Sequence, residues 1–358
     1  MAIDNILDKL NEEKLSRRTV LKVGIATGVS LAALGVAGCT SPSTTPLVSP
    51  TTLATATPAP LKSADPAGYL PTDHHAAIFI ADAKGYFKNY GLNIQLTKFT
   101  AGPAVMTQVS GGTLDLGFAG VAPMISAIDS DPTIKIVASL QGNGSGIIVG
   151  TNSGISKVTD LAGKKIAIPS IGSIQDIMLR QLFASNGIDY ASQNIVAMGA
   201  GTMPQSISAG NIDAGFTWEP YVSQAAMQNL ANVLIRSDAI MPNHPCCAVA
   251  TTTTMIDQYP DTLKAFFQAL NDATNYILNP ANAQDVAATI AGPAYLNESG
   301  AAIEAAAMPN MFFLAKPNET FLSGTETFAK EMYTLGITKK LHDRTDLYDL
   351  TLINQVIQ

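Results

Sequence analysis

The sequence predicts an α/β protein with two lobes and a helical C-terminal tail. From Gly68 onward, short apolar runs alternate with amphipathic stretches, and this alternation restarts after Gly150. After Pro260, every predicted element is a helix. Strands that alternate with helices are typical of a parallel sheet covered on both faces. Two such runs therefore indicate two α/β lobes, with the helical tail packed on the first.

The first run of elements extends to Gly150. Strands are predicted where apolar residues cluster or alternate with polar ones, and helices where apolar residues recur at helical spacing. The predicted strands cover residues 68–71, 92–99, 114–118, 134–140 and 146–150, and the predicted helices cover 75–87, 103–110 and 123–130.

The second run repeats this order and leads into the tail. Ligands of open α/β sheets bind at the carboxyl ends of the strands, so the cleft between two lobes is the expected site. The predicted strands are 165–168, 194–198, 213–217, 232–236 and 248–252, and the predicted helices are 170–186, 203–209, 219–228, 261–278, 282–291, 299–308 and 320–336.

The composition is that of a globular protein and argues against nucleic-acid binding. The chain has 358 residues, of which 47% are hydrophobic and 14% charged, and its net charge is −7. Phosphate binding needs clustered Lys and Arg, and the sequence contains no such cluster. Cys246 and Cys247 are adjacent, and neighbouring cysteines rarely pair. We therefore expect packed cores rather than a disulfide framework.

The N-terminal segment predicts an exported lipoprotein. Residues 23–38 are uncharged, but they are too few to span a bilayer as a helix. They fit a signal peptide over residues 1–38, and Val36-Ala37-Gly38-Cys39 resembles a lipoprotein cleavage box. Cys39 is then the lipidation site that anchors the chain to the outer face of the cytoplasmic membrane. An uncleaved signal anchor is the alternative.

Two further features accompany this segment. Arg17 and Arg18 resemble a twin-arginine export signal, although a general secretory signal also tolerates two arginines. Residues 39–66 are rich in Ser, Thr and Pro, which predicts an extended tether that is also a candidate for glycosylation.

Four motifs resemble a known family. They are Gly85-Tyr86-Phe87-x-x-x-Gly91-Leu92, Gly111-Gly112-x-Leu114-Asp115-x-Gly117-Phe118-x-Gly120-x-x-Pro123, Asp160-Leu161-x-Gly163-Lys164-Lys165-Ile166-Ala167, and Gly210-x-Ile212-Asp213-Ala214 with Trp218-Glu219-Pro220-Tyr221. Together they resemble the nitrate/sulfonate/taurine-type solute-binding proteins of ABC importers, a group that includes binders of thiamine pyrimidine precursors.

The resemblance implies a type II periplasmic-binding-protein fold in which the chain crosses between the lobes twice. We place the crossings near Gly150 and Ala248, so that residues 67–150 and 248–358 form lobe 1 and residues 151–247 form lobe 2. The implied function is binding of a small solute, either a nitrate-, sulfonate- or taurine-like anion or a small heterocycle such as a pyrimidine. The implied partners are a permease and an ATPase. We expect a monomer without a cofactor or catalytic activity.

The candidate ligand-binding residues lie in five loops, and each loop also has a purely structural interpretation. Asp73 can cap a helix, Ser173 can be an ordinary N-cap, and Trp218 can pack at a lobe edge. The loops around Gly120 and Asn143 can be ordinary turns or bulges. The full set is Asp73, His74, His75, Gly120, Val121, Pro123, Asn143, Ser145, Gly172, Ser173, Ile174, Trp218 and Glu219.

Two of these loops have a physical argument of their own. The helix that starts after Gly172 offers free N–H groups and a dipole to a polar oxygen or an anion. The indole of Trp218 offers a π-face to a planar or methylated ligand.

Two other functions remain open at this stage. A metal-capture protein would use His74, His75, His244, Cys246 and Cys247, since His and Cys bind Zn²⁺ and Cu⁺. Buried apolar packing is the alternative role for the two cysteines. A pyrimidine-synthase-like enzyme of the same fold would need a Schiff-base lysine, but no lysine lies between Lys62 and Lys84.

Overall fold

The computed structural model describes residues 61–62, 65–297 and 299–358. The predicted signal peptide, Cys39 and residues 40–60 of the predicted tether lie outside these residues. The end of the predicted tether belongs to the folded body. The Lys62 ammonium lies 2.5 Å from an Asp115 carboxylate oxygen, the Lys62 amide donates to Thr262 Oγ1, and the first strand begins at Asp65.

Two mixed sheets form the framework. In chain order, the strands are β1 (Asp65–Tyr69), β2 (Ile94–Lys98), β3 (Leu116–Gly120), β4 (Ile134–Asn143), β5 (Ser145–Val149), β6 (Lys165–Ile168), β7 (Asn194–Ala197), β8 (Ala214–Trp218), β9 (Asn232–Arg236), β10 (Pro245–Thr252) and β11 (Met311–Phe313).

The first sheet has the strand order β11-β4-β10-β3-β1-β2, and the second has the order β7-β6-β8-β5-β9. In each sheet three strands pair in parallel: β1 with β2 and β3, and β6 with β7 and β8. The strands that follow each crossing, β5 and β10, run antiparallel to their neighbours. The predicted α/β class and two-lobed fold are confirmed, and these crossing strands make both sheets mixed rather than parallel.

The helices cover both faces of the sheets. They are α1 (Ala76–Ala83), α2 (Tyr86–Asn89), α3 (Gly102–Ser110), α4 (Val121–Ser130), α5 (Ile174–Ser185), α6 (Met203–Ser208), α7 (Tyr221–Met227), α8 (Ser237–Ile240), α9 (Thr253–Gln258), α10 (Pro260–Leu278), α11 (Ala283–Ile290), α12 (Ala301–Ala307), α13 (Glu319–Thr334), α14 (Arg344–Leu347) and α15 (Ile353–Val356). None of the helices in the described part of the chain has the length and apolar character needed to cross a bilayer.

The crossings between the two sheets differ from those placed on the sequence. Strand β4 ends at Asn143 and β5 begins at Ser145, so the chain changes sheets at Gly144 rather than near Gly150. It returns between Arg236 and Pro245 rather than near Ala248. The predicted strand 146–150 therefore belongs to the second sheet. Gly144 permits the change of direction because its φ of +80° is readily adopted only by glycine.

The C-terminal tail packs against the first sheet, as its helices predicted. Helix α10 lies against α1, and its Phe266 ring stacks on Phe118 and on Phe87 with centroids 6.0 and 5.8 Å apart. The tail is not wholly helical, however. Met311–Phe313 forms β11 and pairs with β4 at the edge of the sheet. A run of three residues is too short for sequence periodicity to distinguish strand from helix.

Candidate ligand-binding cleft

A cavity of about 1010 Å³ lies between the two lobes. Its walls are built mostly from the loops that follow the strands at their carboxyl ends, where open α/β sheets bind ligands. The first lobe contributes Leu70–Thr72, His74, Thr100–Pro103, Gly120, Pro123, Cys246 and Cys247, and the second contributes Pro169–Gln175, Gly199–Gly201, Trp218 and Tyr221.

One imidazole and two thiols meet on the first-lobe side of the cavity, and we call this group the cleft floor. The Nδ1 atom of His74 lies 3.3 Å from Cys246 Sγ and 3.9 Å from Cys247 Sγ, and the two sulfurs are 3.8 Å apart. His74, Cys246 and Cys247 are only 3 to 4% exposed. The opposite ring atom, His74 Nε2, lies 3.2 Å from the Gly144 carbonyl oxygen. Because a carbonyl oxygen only accepts, Nε2 carries the proton and Nδ1 faces the sulfurs.

The charges of the cleft floor are coupled. The contact between the Cys246 and Cys247 sulfurs, together with nearby His74, holds the pKa of Cys246 well below its usual range despite burial. Burial lowers the pKa of His74, but the charge and hydrogen bond of Cys246 outweigh that effect and raise it to about 9. The contact with the Cys246 sulfur and burial raise the pKa of Cys247.

An irregularity in β10 places both cysteines on the same side. Adjacent residues of a regular strand point to opposite faces of the sheet. The pairing of β10 with β4 shifts register between Pro245 and Cys247 and again between Cys247 and Ala248. Such bulges re-aim side chains and are common beside functional sites. Nothing in the spacing of an adjacent cysteine pair reveals this bulge.

The second-lobe wall is built around the start of α5. Ser173 is its N-cap, and the Ser173 hydroxyl accepts from the Asp176 amide at 3.2 Å. The buried Asp176 carboxylate accepts from the Gly172 amide at 2.8 Å, from Arg180 Nε at 3.1 Å and from the Tyr190 hydroxyl. Ser173 thus lines the cavity and caps the helix at once. The Gly172 amide that we expected to be free for an anion is already used by Asp176.

The cavity has little positive charge. No lysine or arginine lines it within the described ranges, and its ionisable side chains there are mainly His74, Cys246, Cys247 and Asp131. The remaining lining is made largely of apolar, aromatic, hydroxyl and glycine residues. A compact oxyanion would find only His74, whose Nδ1 already faces the two sulfurs. The lining therefore favours a solute with little net charge.

Seven of the thirteen predicted residues line the cavity, and six do not. His74, Gly120, Pro123, Gly172, Ser173, Ile174 and Trp218 line it. Their role in binding stays a prediction. The residues that do not line it are Asp73, His75, Val121, Asn143, Ser145 and Glu219.

Four of these six are held by contacts within the protein. His75 Nδ1 accepts from the Leu70 amide at 3.2 Å, and burial lowers the pKa of His75 to about 3, so the ring is neutral. Val121 is fully buried in α4, and Asn143 ends β4. Glu219 is fully buried and accepts from Arg236, Ser223 and Asn310 at 2.7 to 3.0 Å.

The other two lie close to the crossings between the lobes. Ser145 Oγ accepts from Gln175 Nε2 at 3.0 Å, and the Ser145 amide donates to Ser237 Oγ at 3.1 Å. His244 belongs to this network because its Nε2 lies 2.8 Å from the same Ser237 oxygen. Asp73 is fully buried beside Thr72 and His74, and Glu304 and Glu219 raise its pKa further after burial itself.

Glu304 closes the back of this region. It lies on α12, which contacts α7 of the second lobe and belongs to the tail that packs on the first. Burial raises the pKa of Glu304 to about 7, and the negative charge of Glu219 acts in the same direction. Glu304, Glu219 and Asp73 thus form a group of buried acidic residues behind the cleft, and none of them lines the cavity.

Several lining residues escaped the sequence analysis. Thr100–Gly102 and Gly199–Gly201 follow the carboxyl ends of β2 and β7, so the strand-end rule would have indicated them. Thr72 on the first-lobe side, and Gln175 and Tyr221 on the second-lobe side, also bring polar groups to the cavity. Each of these three lies one or two residues from a residue that the sequence analysis selected.

Two lobes around a cleft at the strand ends define the class of periplasmic-binding-protein folds. The chain belongs to the NMT1-like family, whose model matches residues 62–291. The alkanesulfonate-binding protein SsuA from Xanthomonas axonopodis pv. citri, solved bound to MOPS, has a similar structure with a TM-score of 0.71. At 18% identity over 81% of this chain and 99% of that one, this likeness shows the fold.

Curated relatives match parts of the chain. A nitrate import ATP-binding protein, NrtC, from Synechocystis is 27% identical over 65% of this chain and 38% of its own length. A putative aliphatic sulfonates-binding protein from Bacillus subtilis is 26% identical over 55% of this chain and 60% of its own. The yeast 4-amino-5-hydroxymethyl-2-methylpyrimidine phosphate synthase THI13 is 27% identical over 58% and 64%. The chain thus spans less than two thirds of the length of each.

Proposed function

We propose that this protein is the extracytoplasmic solute-binding component of an ABC importer. The observation that carries the proposal is the cavity at the strand ends, which is lined from both lobes and joined behind by two crossings. Closure of two lobes around such a cavity removes a small solute from water and presents it to a permease. The names of the nitrate and sulfonate relatives support the same role.

The chemistry of the cavity favours one class of solute. A neutral or weakly charged nitrogen heterocycle would stack on Trp218 or Tyr221 and use the amide of Gln175 and the hydroxyls of Thr72 and Ser173. Base-sized rings gain roughly 1–3 kcal/mol from such stacking. A nitrate or sulfonate ion would find no lysine or arginine in the described lining, the side chains that pair most strongly with such anions. We therefore place heterocycles such as pyrimidines ahead of anions.

The same proposal includes export and anchoring. Cys39 would carry the lipid, residues 40–60 would serve as the tether, and the binding body would act as a monomer at the outer face of the cytoplasmic membrane. Tethering raises the effective concentration of the binder near its permease. Metabolic labelling with a lipid precursor tests this: label should enter the wild-type protein and be absent from Cys39→Ala.

We assign no catalytic step to the cleft. The synthase alternative needs a lysine amine for a Schiff base, and the cavity has none among its described lining residues. Lys62 is engaged with Asp115 outside it.

Ligand-dependent thermal stabilisation tests the main proposal. Pyrimidines, flavins, nitrate, taurine and alkanesulfonates are compared as additives at a fixed protein concentration. A solute at 100 times its Kd stabilises the folded state by about 2.7 kcal/mol, which raises Tm by roughly 5 °C or more in a body of this size. A heterocycle should give this shift. If only a sulfonate raises Tm, the solute is an anion and not a heterocycle. If no solute raises Tm, the proposed function is contradicted.

A further inference from the structure

We propose that His74, Cys246 and Cys247 form a three-ligand site for a thiophilic metal ion, Zn²⁺ or Cu⁺, in the cleft floor, with the fourth coordination position open to the cavity. This inference goes beyond the proposed function, and only the open position depends on the cavity being a solute site.

The first argument is the spacing of the three donor atoms. Bonds of about 2.3 Å to sulfur and 2.0–2.1 Å to nitrogen at tetrahedral angles put sulfurs about 3.8 Å apart and a nitrogen about 3.6 Å from each sulfur. The two sulfurs are 3.8 Å apart, and His74 Nδ1 lies 3.3 Å and 3.9 Å from them. Three donor atoms therefore already form one face of a tetrahedron around a zinc-sized ion.

The second argument is the partner on the far side of the imidazole. Metal-bound histidines nearly always donate their other N–H to a carbonyl or carboxylate, which fixes the ring and the tautomer. The Nε2 atom of His74 lies 3.2 Å from the Gly144 carbonyl oxygen, and the nearest Asp73 carboxylate oxygen is 3.9 Å from it. This contact leaves Nδ1 as the ligand atom and directs it at the sulfurs.

The third argument is charge. Two thiolates and a neutral imidazole around Zn²⁺ have no net charge, so the ion can occupy a buried site without a further counter-ion. Lysine and arginine, which would compete for the thiolates, do not occur among the described residues that line the cavity. Soft sulfur ligands also select Zn²⁺ and Cu⁺ over Mg²⁺ or Ca²⁺.

The open fourth position follows from where the site lies. All three residues line the cavity and no fourth protein ligand belongs to the group among the described residues, so we expect the fourth vertex of the tetrahedron to be reached from the cavity. A structural zinc site is closed by a fourth protein ligand, whereas a site with three protein ligands accepts water or an added donor. A solute with a ring nitrogen or a thiolate would complete the coordination. The proposed ligands are three of the five residues that the sequence analysis named for a metal site. The other two, His75 and His244, are hydrogen-bonded elsewhere.

Metal titration of the full mature protein tests the site. The protein is stripped with a chelator, kept reduced with a phosphine, and titrated with Zn²⁺ against a chromophoric competitor, with Co²⁺ as the spectroscopic probe and Cu⁺ in a parallel experiment. We expect one ion per chain and, with Co²⁺, thiolate charge-transfer and intense four-coordinate bands. Absence of stoichiometric binding of both Zn²⁺ and Cu⁺ overturns the proposal.

Matched variants identify the ligands. Cys246→Ser, Cys247→Ser and His74→Gln should each weaken Zn²⁺ binding at least about 100-fold. Gln keeps a donor near the Nε2 position for Gly144 while removing Nδ1. The control is His75→Asn, whose amide oxygen can still accept from Leu70, and its affinity should match the wild type. Unchanged affinity in both cysteine variants overturns the assignment.

X-ray absorption at the zinc edge of the wild type covers the case in which a variant fails to fold. We expect two sulfurs at about 2.3 Å and nitrogen at about 2.0 Å, and a spectrum without sulfur overturns the site. Added imidazole should shift the Co²⁺ bands, and an unchanged spectrum overturns the open position. Thermal shifts with solutes on both the metal-free and the zinc-loaded protein separate the two proposals. Metal binding without a solute shift in either form leaves the site and removes the function, and a solute shift without metal binding removes the site.

Discussion

The two sides of the cleft offer a ligand different atoms. The first lobe presents sulfur and imidazole nitrogen from the cleft floor, held by a bulged strand and a short 3₁₀ turn. The second lobe presents the start of α5, hydroxyl groups and the rings of Trp218 and Tyr221. Just before this helix, the buried carboxylate of Asp176 accepts from the Gly172 amide. The contrast shows that a helix N-terminus in a cleft is an anion site only when its own side chains leave it unoccupied.

The largest effect is expected from filling the second-lobe wall. Ser173→Trp places an indole inside the cavity and should abolish solute binding while the cleft floor keeps its metal affinity. The control is Ser173→Ala, which removes the N-cap bond to the Asp176 amide. It should lower the free energy of unfolding by about 1 kcal/mol and weaken solute binding by about tenfold at most, through the loss of one hydrogen bond. Titration calorimetry with the solute found by thermal shift measures the affinity of each variant, and scanning calorimetry measures its stability. Unchanged affinity in Ser173→Trp would show that the ligand lies elsewhere.

The next effect concerns the link between the two sides. A Cβ on Gly144 would lie 2.6 Å from Met311 Cγ, 2.8 Å from Gln141 Nε2 and 2.9 Å from His74 Nε2, at a φ of +80°. Gly144→Ala should therefore destabilise the fold by about 3 kcal/mol, through left-handed backbone strain and contact with its neighbours.

The control for Gly144→Ala is Gly163→Ala, which has a φ of +74° but no atom within 4 Å of the added Cβ. It should cost only the backbone term, roughly 1 kcal/mol. Urea unfolding of both variants compares them. Equal losses would mean that the contacts around Gly144 are not tight and that the crossing tolerates a side chain.

The smallest effect separates the acid groups behind the cleft from the cleft itself. The pKa of Glu304 is raised to about 7 from an ordinary value of 4.5, so the folded state binds this proton more tightly than the unfolded state. Its contribution to stability is present below about pH 4.5 and is lost as pH rises through 7. Glu304→Gln should therefore add about 2 kcal/mol at pH 8 and little at pH 5.

Urea unfolding of wild type and Glu304→Gln at the two pH values measures this difference. Solute affinity should be the same in both proteins, because Glu304 does not line the cavity. A gain that is equal at pH 5 and pH 8 would contradict the raised pKa.

The sequence predicted the elements better than their assignment to sheets. The apolar runs at 134–140 and 146–150 look alike, and nothing in them tells that Gly144 sends the second run into another sheet. Asn143 and Gly144 both have a positive φ, which asparagine and glycine favour, but this local turn does not reveal which sheet the next strand joins.

The site was predicted in chemistry more than in geometry. Of the five His and Cys residues that the sequence analysis grouped, the structure brings three together, His74, Cys246 and Cys247. His74 and His75 are neighbours in a short 3₁₀ turn, and only His74 faces the sulfurs. The bulge that turns both cysteines to one side depends on pairing with β4, which lies a hundred residues earlier in the chain. The occupation of the Gly172 amide by Asp176 is local, at helical spacing, and so was open to prediction.

The order of strands in the first sheet has a consequence for how the chain matures. All five strands of the second sheet come from residues 145–236, so that sheet can be completed as soon as this stretch has been synthesised. The first sheet cannot, because β10 lies between β3 and β4 and is made only afterwards. The first sheet therefore begins to be synthesised before the second but is completed after it. Strands β3 and β4 lack their shared neighbour until the second sheet has been synthesised. Cys246 and Cys247 belong to β10, so the cleft floor can form only when β10 inserts between β3 and β4.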